Sequence, residues 1–466
     1  MLAHGLVDPA ARPFRRGFRP HTGENLSSSE VTRREQRLLG PRADPTVRVS
    51  EPLGPGEGGP MASVGQVYGD RAATESAFAA HVNAGKVDAY RALGLELVMG
   101  EREGIGFRDA YDGRWYVNCH CNGGVFNLGH RNPTVVAAVR DALDALDVGN
   151  HHLVSGWRAR LAERLSATTD DALPGVVFGV GGGEAIDLAI KVARGSTGRR
   201  RVVSVVGGYH GHTGLALAAG DPEYRDPFGP NPPEFAQVPF DDLDAMAAVV
   251  GDDTALVLVE PIPATLGMPL PSSGYLAGLR SLCDERGALL CFDEVQTGLG
   301  RTGTIWYCQQ EEVVPDLLVT GKGLSGGIYP ITATLMTERL HRFFDDHPFV
   351  HISTFGGAEL GCVAGLATLD VIEEPGFLDR VTALGERFEV GFEGLPVTLR
   401  RRGMFMGIAF DDPGGGMAAT KAAVEAGVFA IFANNDPSVL QFLPPLVISD
   451  GEVDELIETM RRVLGG

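Results

Sequence analysis

No hydrophobic run in this 466-residue chain approaches the roughly 20 residues that a bilayer-spanning helix needs, so the sequence reads as a soluble protein without a membrane partner. Positive charge is also short. The chain has 40 Lys and Arg against 60 Asp and Glu, a formal net charge of -20, which opposes a broad grip on phosphodiester backbones and argues against nucleic acid as a partner. Cysteine is sparse: the six present (Cys119, Cys121, Cys283, Cys291, Cys308, Cys362) include no Cys-x-x-Cys pair. With no secretory pattern at the start, reduced thiols in a cytoplasmic protein are expected. The cluster Cys119-His120-Cys121 lacks the ligand spacing and the second ligand pair of a structural zinc site, so no metal is expected.

The rest of the composition, 44% hydrophobic and 21% charged, is ordinary for a globular protein, and the length can bury a sizeable core in more than one domain. Residues 1–70 are rich in Pro, Gly, Arg and Ser and show neither a 2.0 nor a 3.6 period, so they read as a disordered extension. That stretch is Arg-rich and free of Lys, as targeting segments are, but Asp and Glu run through it, which such segments avoid; Met61 offers an alternative start. A folded texture begins at residue 73 with a helical pattern. Short apolar runs at 176–180, 201–206, 255–260, 288–293 and 316–320 then alternate with helical stretches such as 184–194 and 274–287. Strands buried on both faces and separated by helices predict a parallel α/β sheet, whose ligands gather at the carboxyl ends of the strands. The last hundred residues hold fewer strand candidates and close with a helix. The expected division is a segment 71–125 belonging to a small α+β domain, a large domain 126–365, and the rest of the small domain at 366–466.

Three landmarks carry chemistry. In FGVGGGEAIDLAIKVAR (178–194) a strand runs through Gly181, Gly182 and Gly183 into a helix, where bare N–H groups make an anion site. In CFDEVQTGLGRTG (291–303) a buried strand ends in Asp293, and in VTGKGLSGG (319–327) Lys322 stands between two glycines just past another strand. Taken singly, each is weak: the turn suits many phosphates, and Asp293 and Lys322 could be a capped acid and a surface lysine. Together they fit one cofactor. Pyridoxal phosphate needs an amine for its aldehyde, an acid against its pyridine nitrogen and a cradle for its phosphate. A charge at a buried strand end also needs a partner, which a pyridinium supplies.

From residue 75 to the C-terminus, and most specifically over 288–327, the chain resembles the class III (ornithine/4-aminobutyrate-type) aminotransferases, which implies the PLP-dependent transferase fold, fold type I. On that resemblance Lys322 matches the Schiff-base lysine and Asp293 the acid that pairs with the pyridine nitrogen. Val295 and Tyr209, the latter in GGYHGHTG (207–214), match residues against the two ring faces, Gln296 a partner of the ring hydroxyl, and Gly182 and Gly183 the phosphate cradle. Thr354, in HISTFGG (351–357), matches a threonine that reaches the partner subunit's phosphate, which implies a homodimer with shared sites. The implied activity moves an amino group between an amine or amino acid and an oxo acid or aldehyde; a racemase, epimerase or aminomutase of the same family is the alternative. Several positions depart from the glutamate-using members. Gly181 stands where a serine is usual, and Gln441, in LQFLPPLVIS (440–449), replaces an arginine that forks onto a substrate carboxylate. That arginine's glutamate partner is Thr265 here, in EPIPATLG (260–267), with Pro263 for a glutamine. Cys121, Asn122 and Gly123 occupy the region where relatives contact substrate. The departures predict a donor other than glutamate.

Overall fold

The computed structural model describes residues 65–465; of the disordered extension expected over 1–70, residues 1–64 lie outside the described residues. Seven strands, β4 (Gly175–Gly179), β5 (Arg201–Val205), β6 (Phe235–Val238), β7 (Thr254–Val259), β8 (Leu289–Asp293), β9 (Leu317–Thr320) and β10 (Thr332–Met336), form one sheet in the order β4-β10-β9-β8-β7-β5-β6. The five from β6 to β9 run parallel, and β10 lies antiparallel to both of its neighbours. Every residue of β7, β8, β9 and β10 is buried, as two-sided coverage of an inner strand requires. Side chains alternate between the two faces. Leu256 and Leu258 join one apolar cluster, with Cys291 and Val319, while Val257 and Val259 join the other, with Phe292 and Leu318.

Helices cover both faces. α1 (Gly182–Thr197) buries Ala185, Ile186, Ala189, Ile190 and Ala193, an i, i+3/i+4 stripe, against the first cluster and stops at Gly198 in the left-handed conformation. α2 (Tyr275–Arg286) buries Tyr275, Leu276, Leu279, Leu282 and Cys283 in the second. Each fully buried Leu or Val is worth about 1.5–3 kcal/mol, so these two stripes fix the sheet between its helices.

Two smaller sheets complete the described residues. β1 (Met99–Glu103), β2 (Gly106–Asp109) and β3 (Trp115–Asn118) form an antiparallel set, and β13 (Val428–Phe429) pairs parallel to β3. β11 (Thr398–Arg402), β12 (Phe405–Ala409), β14 (Ile431–Ala433) and β15 (Asp436–Phe442) form the other sheet, in the order β11-β12-β15-β14. Ile105 and Cys119 sit in one core with Met404, Phe442 and the terminal helix α3 (Asp450–Leu464). α3 starts with a capping box between Ser449 and Glu452 and buries Val453, Leu456, Met460 and Leu464. Among the described residues no helix is long and apolar enough to cross a membrane.

Candidate active site

β4, β8 and β9 deliver the three landmarks to one place. Gly182, Gly183, Tyr209, Asp293, Val295, Gln296 and Lys322 all line a single cavity of ≈ 180 Å³, joined by His210, Gly211 and Glu260. Beyond β4 the chain enters α1 through Gly181, an N-cap in extended backbone that has no side chain to cap with, so the first-turn N–H groups are left for a ligand. Glycine is required beside it. A Cβ on Gly211, whose φ is +106°, would sit 2.6 Å from Gly183 Cα, and one on Gly183 would sit 2.6 Å from Thr213 Oγ1.

Asp293 ends β8 and is 5% exposed. Its carboxylate accepts from His210 Nδ1 at 2.9 Å and from the Val295 N–H at 3.2 Å. Burial pushes the His210 imidazole down, but the Asp293 hydrogen bond and the charges of Asp293 and Glu260 outweigh it and raise its pKa. Lys322, one residue beyond Gly321, has φ of 42°, a left-handed value that is costly for a residue with a side chain. Its ammonium is lowered by burial and held up in part by Asp293 and Glu260. Against it runs a loop in which Cys121, Asn122, Gly123 and Gly124 are consecutively left-handed; a Cβ on Gly123 would meet Gln296 Oε1 at 2.7 Å and Lys322 Cε at 3.3 Å. Gln296 Oε1 is buried with no hydrogen-bond partner, an acceptor left open on the cavity wall.

The remaining sequence candidates do not line this cavity. Cys121 is fully buried and its thiol donates to the carbonyls of Asn118 (3.3 Å) and Phe126 (3.4 Å); burial pushes it up to about 12. Asn122 is exposed. The Thr265 hydroxyl is used inside the protein, donating to Gly207 O at 3.0 Å, and buried Gln441, opposite Gly407 on β12, turns its amide toward Phe432 O at 3.5 Å. Thr354 is exposed, in a stretch where Phe349, Ile352 and Phe355 also face outward. That stretch borders a larger cavity of ≈ 500 Å³ beside the edge strand β4, lined by groups such as His151, His351 and Phe349 and without an amine and acid facing each other.

Sequence reasoning missed three residues. His210 and Glu260 were within quoted motifs, and the signal for Glu260 was a lone charge directly after five apolar residues. Arg301 is fully buried with no carboxylate partner among the described residues: it donates to Asn127 Oδ1 (2.7 and 3.1 Å) and to the carbonyls of Met404 and Pro444, clamping the loop after β8 to the C-terminal strands.

Comparison with known proteins gives one consistent result. The model of the family "Aminotransferase class-III" matches residues 91–464. A protein of Archaeoglobus fulgidus described as an uncharacterized aminotransferase is 50% identical over 390 residues, covering 82% of this chain and 92% of its own. Among solved structures, the ornithine aminotransferase of Toxoplasma gondii ME49 superposes with a TM-score of 0.77 at 24% identity, over 85% of this chain and 96% of its own, a likeness of fold. The acetylornithine aminotransferase of Elizabethkingia anophelis superposes with a TM-score of 0.70 at 27% identity, over 82% and 98%.

Proposed function

The chain belongs to the class III aminotransferases, a pyridoxal-phosphate-dependent transaminase of the fold type I class, and from that premise we propose that Lys322 and Asp293 are its catalytic residues. One observation carries the proposal: an amine, a buried acid and an uncapped helix N-terminus share the wall of one cavity. The donor set fits the cofactor. Gly182 and Gly183 would offer N–H groups to a phosphate, Asp293 would pair with a ring nitrogen, Lys322 would supply the amine for an aldehyde, and the open Gln296 Oε1 suits a ring hydroxyl. Tyr209 and Val295, on the wall of the same cavity, would flank the ring.

Pyridoxal phosphate, when bound, supplies an electron sink for the negative charge that forms at the substrate carbon bearing nitrogen. The protein does the rest. Asp293, fixed by His210, keeps a proton on the ring nitrogen. Lys322, its basicity lowered by burial, takes a proton from that substrate carbon and returns it elsewhere. The loop at Gly123 closes over the lysine stem. Lys322→Ala should abolish both turnover and the visible absorbance of cofactor-loaded protein; unchanged turnover ends this reading.

The proposal extends to the donor. Thr265 and Gln441 turn their side chains to the Gly207 and Phe432 carbonyls, and among the described residues no guanidinium lines the cavity, so a substrate carboxylate finds no fork there. A donor other than glutamate, such as a terminal amine, fits. Stopped-flow reaction of the loaded enzyme with glutamate, alanine and terminal amines tests it: rapid conversion by glutamate alone refutes it, and turnover without any oxo acid would favour an isomerase. The reading also includes a homodimer to which Thr354 contributes across the interface, supported by its place in an outward apolar stretch. It includes two lobes, 126–365 and 71–125 with 366–466, supported by the shared core of Ile105, Cys119 and Phe442. Six unpaired, buried thiols suit a reducing cytoplasm.

A further inference from the structure

Glu260 follows Val259 at the end of β7 and is 3% exposed. Both of its oxygens are taken by backbone: Oε1 accepts from the Tyr209 N–H at 2.8 Å and Oε2 from the Ala264 N–H at 3.3 Å. The side chain thus ties the aromatic wall of the cavity to the loop after β7, and among the described residues no ammonium or guanidinium bonds it. The titratable groups that face it are His210 and Tyr209 from the loop after β5, Asp293 from β8 and Lys322 from beyond β9, all on the same cavity. Asp293 and Glu260 are like charges, so Lys322 alone cannot balance them. The cluster is neutral when His210 keeps both of its protons, and its Nδ1 already points at Asp293.

We propose that Glu260 is a positioning residue: it pins the backbone of Tyr209 and supplies the second negative charge that keeps His210 protonated against Asp293, so that Asp293 stays ionised toward the cofactor ring. This rests on the reading of Asp293 and Lys322 given above. The electrostatics agree. Burial raises the Glu260 pKa and Asp293 adds to the rise, while His210 opposes both, so the imidazolium is the group that favours a charged Glu260.

The test uses cofactor-loaded full-length protein and follows the visible band against pH in wild type, Glu260→Gln and Glu260→Asp. Removing a negative charge disfavours the positively charged form of the chromophore, so the midpoint should fall by about one pH unit in Glu260→Gln, a tenfold change in proton affinity. Glu260→Asp, which keeps the charge on a shorter arm, should hold the midpoint near wild type while the tie to Tyr209 slackens and cofactor dissociates faster. A Glu260→Gln midpoint equal to wild type overturns the proposal. If the Gln protein does not load, Glu260→Asp decides instead: an unshifted midpoint with faster cofactor release supports the proposal, and a shifted midpoint or an unchanged release rate overturns it. Wild-type protein without any visible band would sink the reading of Lys322 and Asp293, a separate failure from an unmoved midpoint.

Discussion

Gly181→Ser is the perturbation whose size the structure fixes best. Position 181 caps α1 with φ of −136° and ψ of 149°, backbone that any residue adopts, and a Cβ there meets no heavy atom within 4 Å. A serine should therefore enter without strain and place its hydroxyl at the uncapped first turn. Two gains add. Replacing an N-cap glycine by serine stabilises a helix by a few tenths of a kcal/mol, about 0.3. A hydroxyl bonded to a phosphate dianion is charge-assisted, worth about 1.5 kcal/mol at the low end suited to a cavity open to water. Since about 1.4 kcal/mol is tenfold in affinity, the cofactor dissociation constant should fall roughly tenfold. Gly181→Ala is the control, because it shares the backbone change and lacks the hydroxyl. Titration of apo-protein with pyridoxal phosphate, followed by absorbance, measures all three proteins. If Ser binds no more tightly than Ala, the turn at 181–183 is not the phosphate cradle. A higher melting temperature in Ser with an unmoved dissociation constant would mean that the hydroxyl serves the helix alone.

Gly211→Ala should weaken cofactor binding at least tenfold, because the added Cβ at φ +106° would lie 2.6 Å from Gly183 Cα and push the Tyr209 loop off the turn; the same titration reads it, and wild-type affinity would refute the close approach. Asp109→Asn should cost about 3 kcal/mol in denaturant unfolding at neutral pH, since the buried carboxylate accepts two bonds from Arg71 and one each from the N–H groups of Val98, Tyr111 and Asp112. Burial pushes Asp109 up, yet those bonds outweigh it and hold it below the ordinary 3.8, so its contribution is present above that value and lost as pH falls through the depressed folded value. The gap between wild type and variant should therefore close only in acid, and a gap that closes near neutrality would contradict the assignment. Borohydride reduction of loaded protein followed by peptide mapping should label Lys322 and none of Lys86, Lys191 or Lys421, the chain's other lysines.

The large sheet was legible because its strands are short unbroken apolar runs: those read at 201–206, 255–260 and 288–293 correspond to β5, β7 and β8 within about a residue. β6 and β10 were not. FAQV is a half-exposed edge strand, and TATLM hides two threonines in the core, one of which, Thr334, donates to the Ala185 carbonyl. β11, TLRRR, reads as a solvated charge run although four of its five residues are partly covered. Lys322, Asp293 and the glycine turn were visible for the opposite reason, since each interrupts or ends an apolar strand with a residue the strand itself does not need. The partnership of His210 with Asp293 was invisible, because only the sheet order, with β7 between β5 and β8, brings the loops after those two strands together. Cys121 was read with Asn122 and Gly123 near the mouth of the site; folding turns its thiol inward.

The parallel pairing of β3 with β13 joins Val117 to Val428, so the early strand must wait for nearly the whole polypeptide to leave the ribosome before its outer edge is covered. Until then Trp115–Asn118 presents unsatisfied amide groups to any neighbouring nascent chain, which makes late completion a hazard for aggregation. Premature release of translation anywhere upstream of residue 428 should leave a species that chaperones retain, even though the seven-stranded sheet is already made.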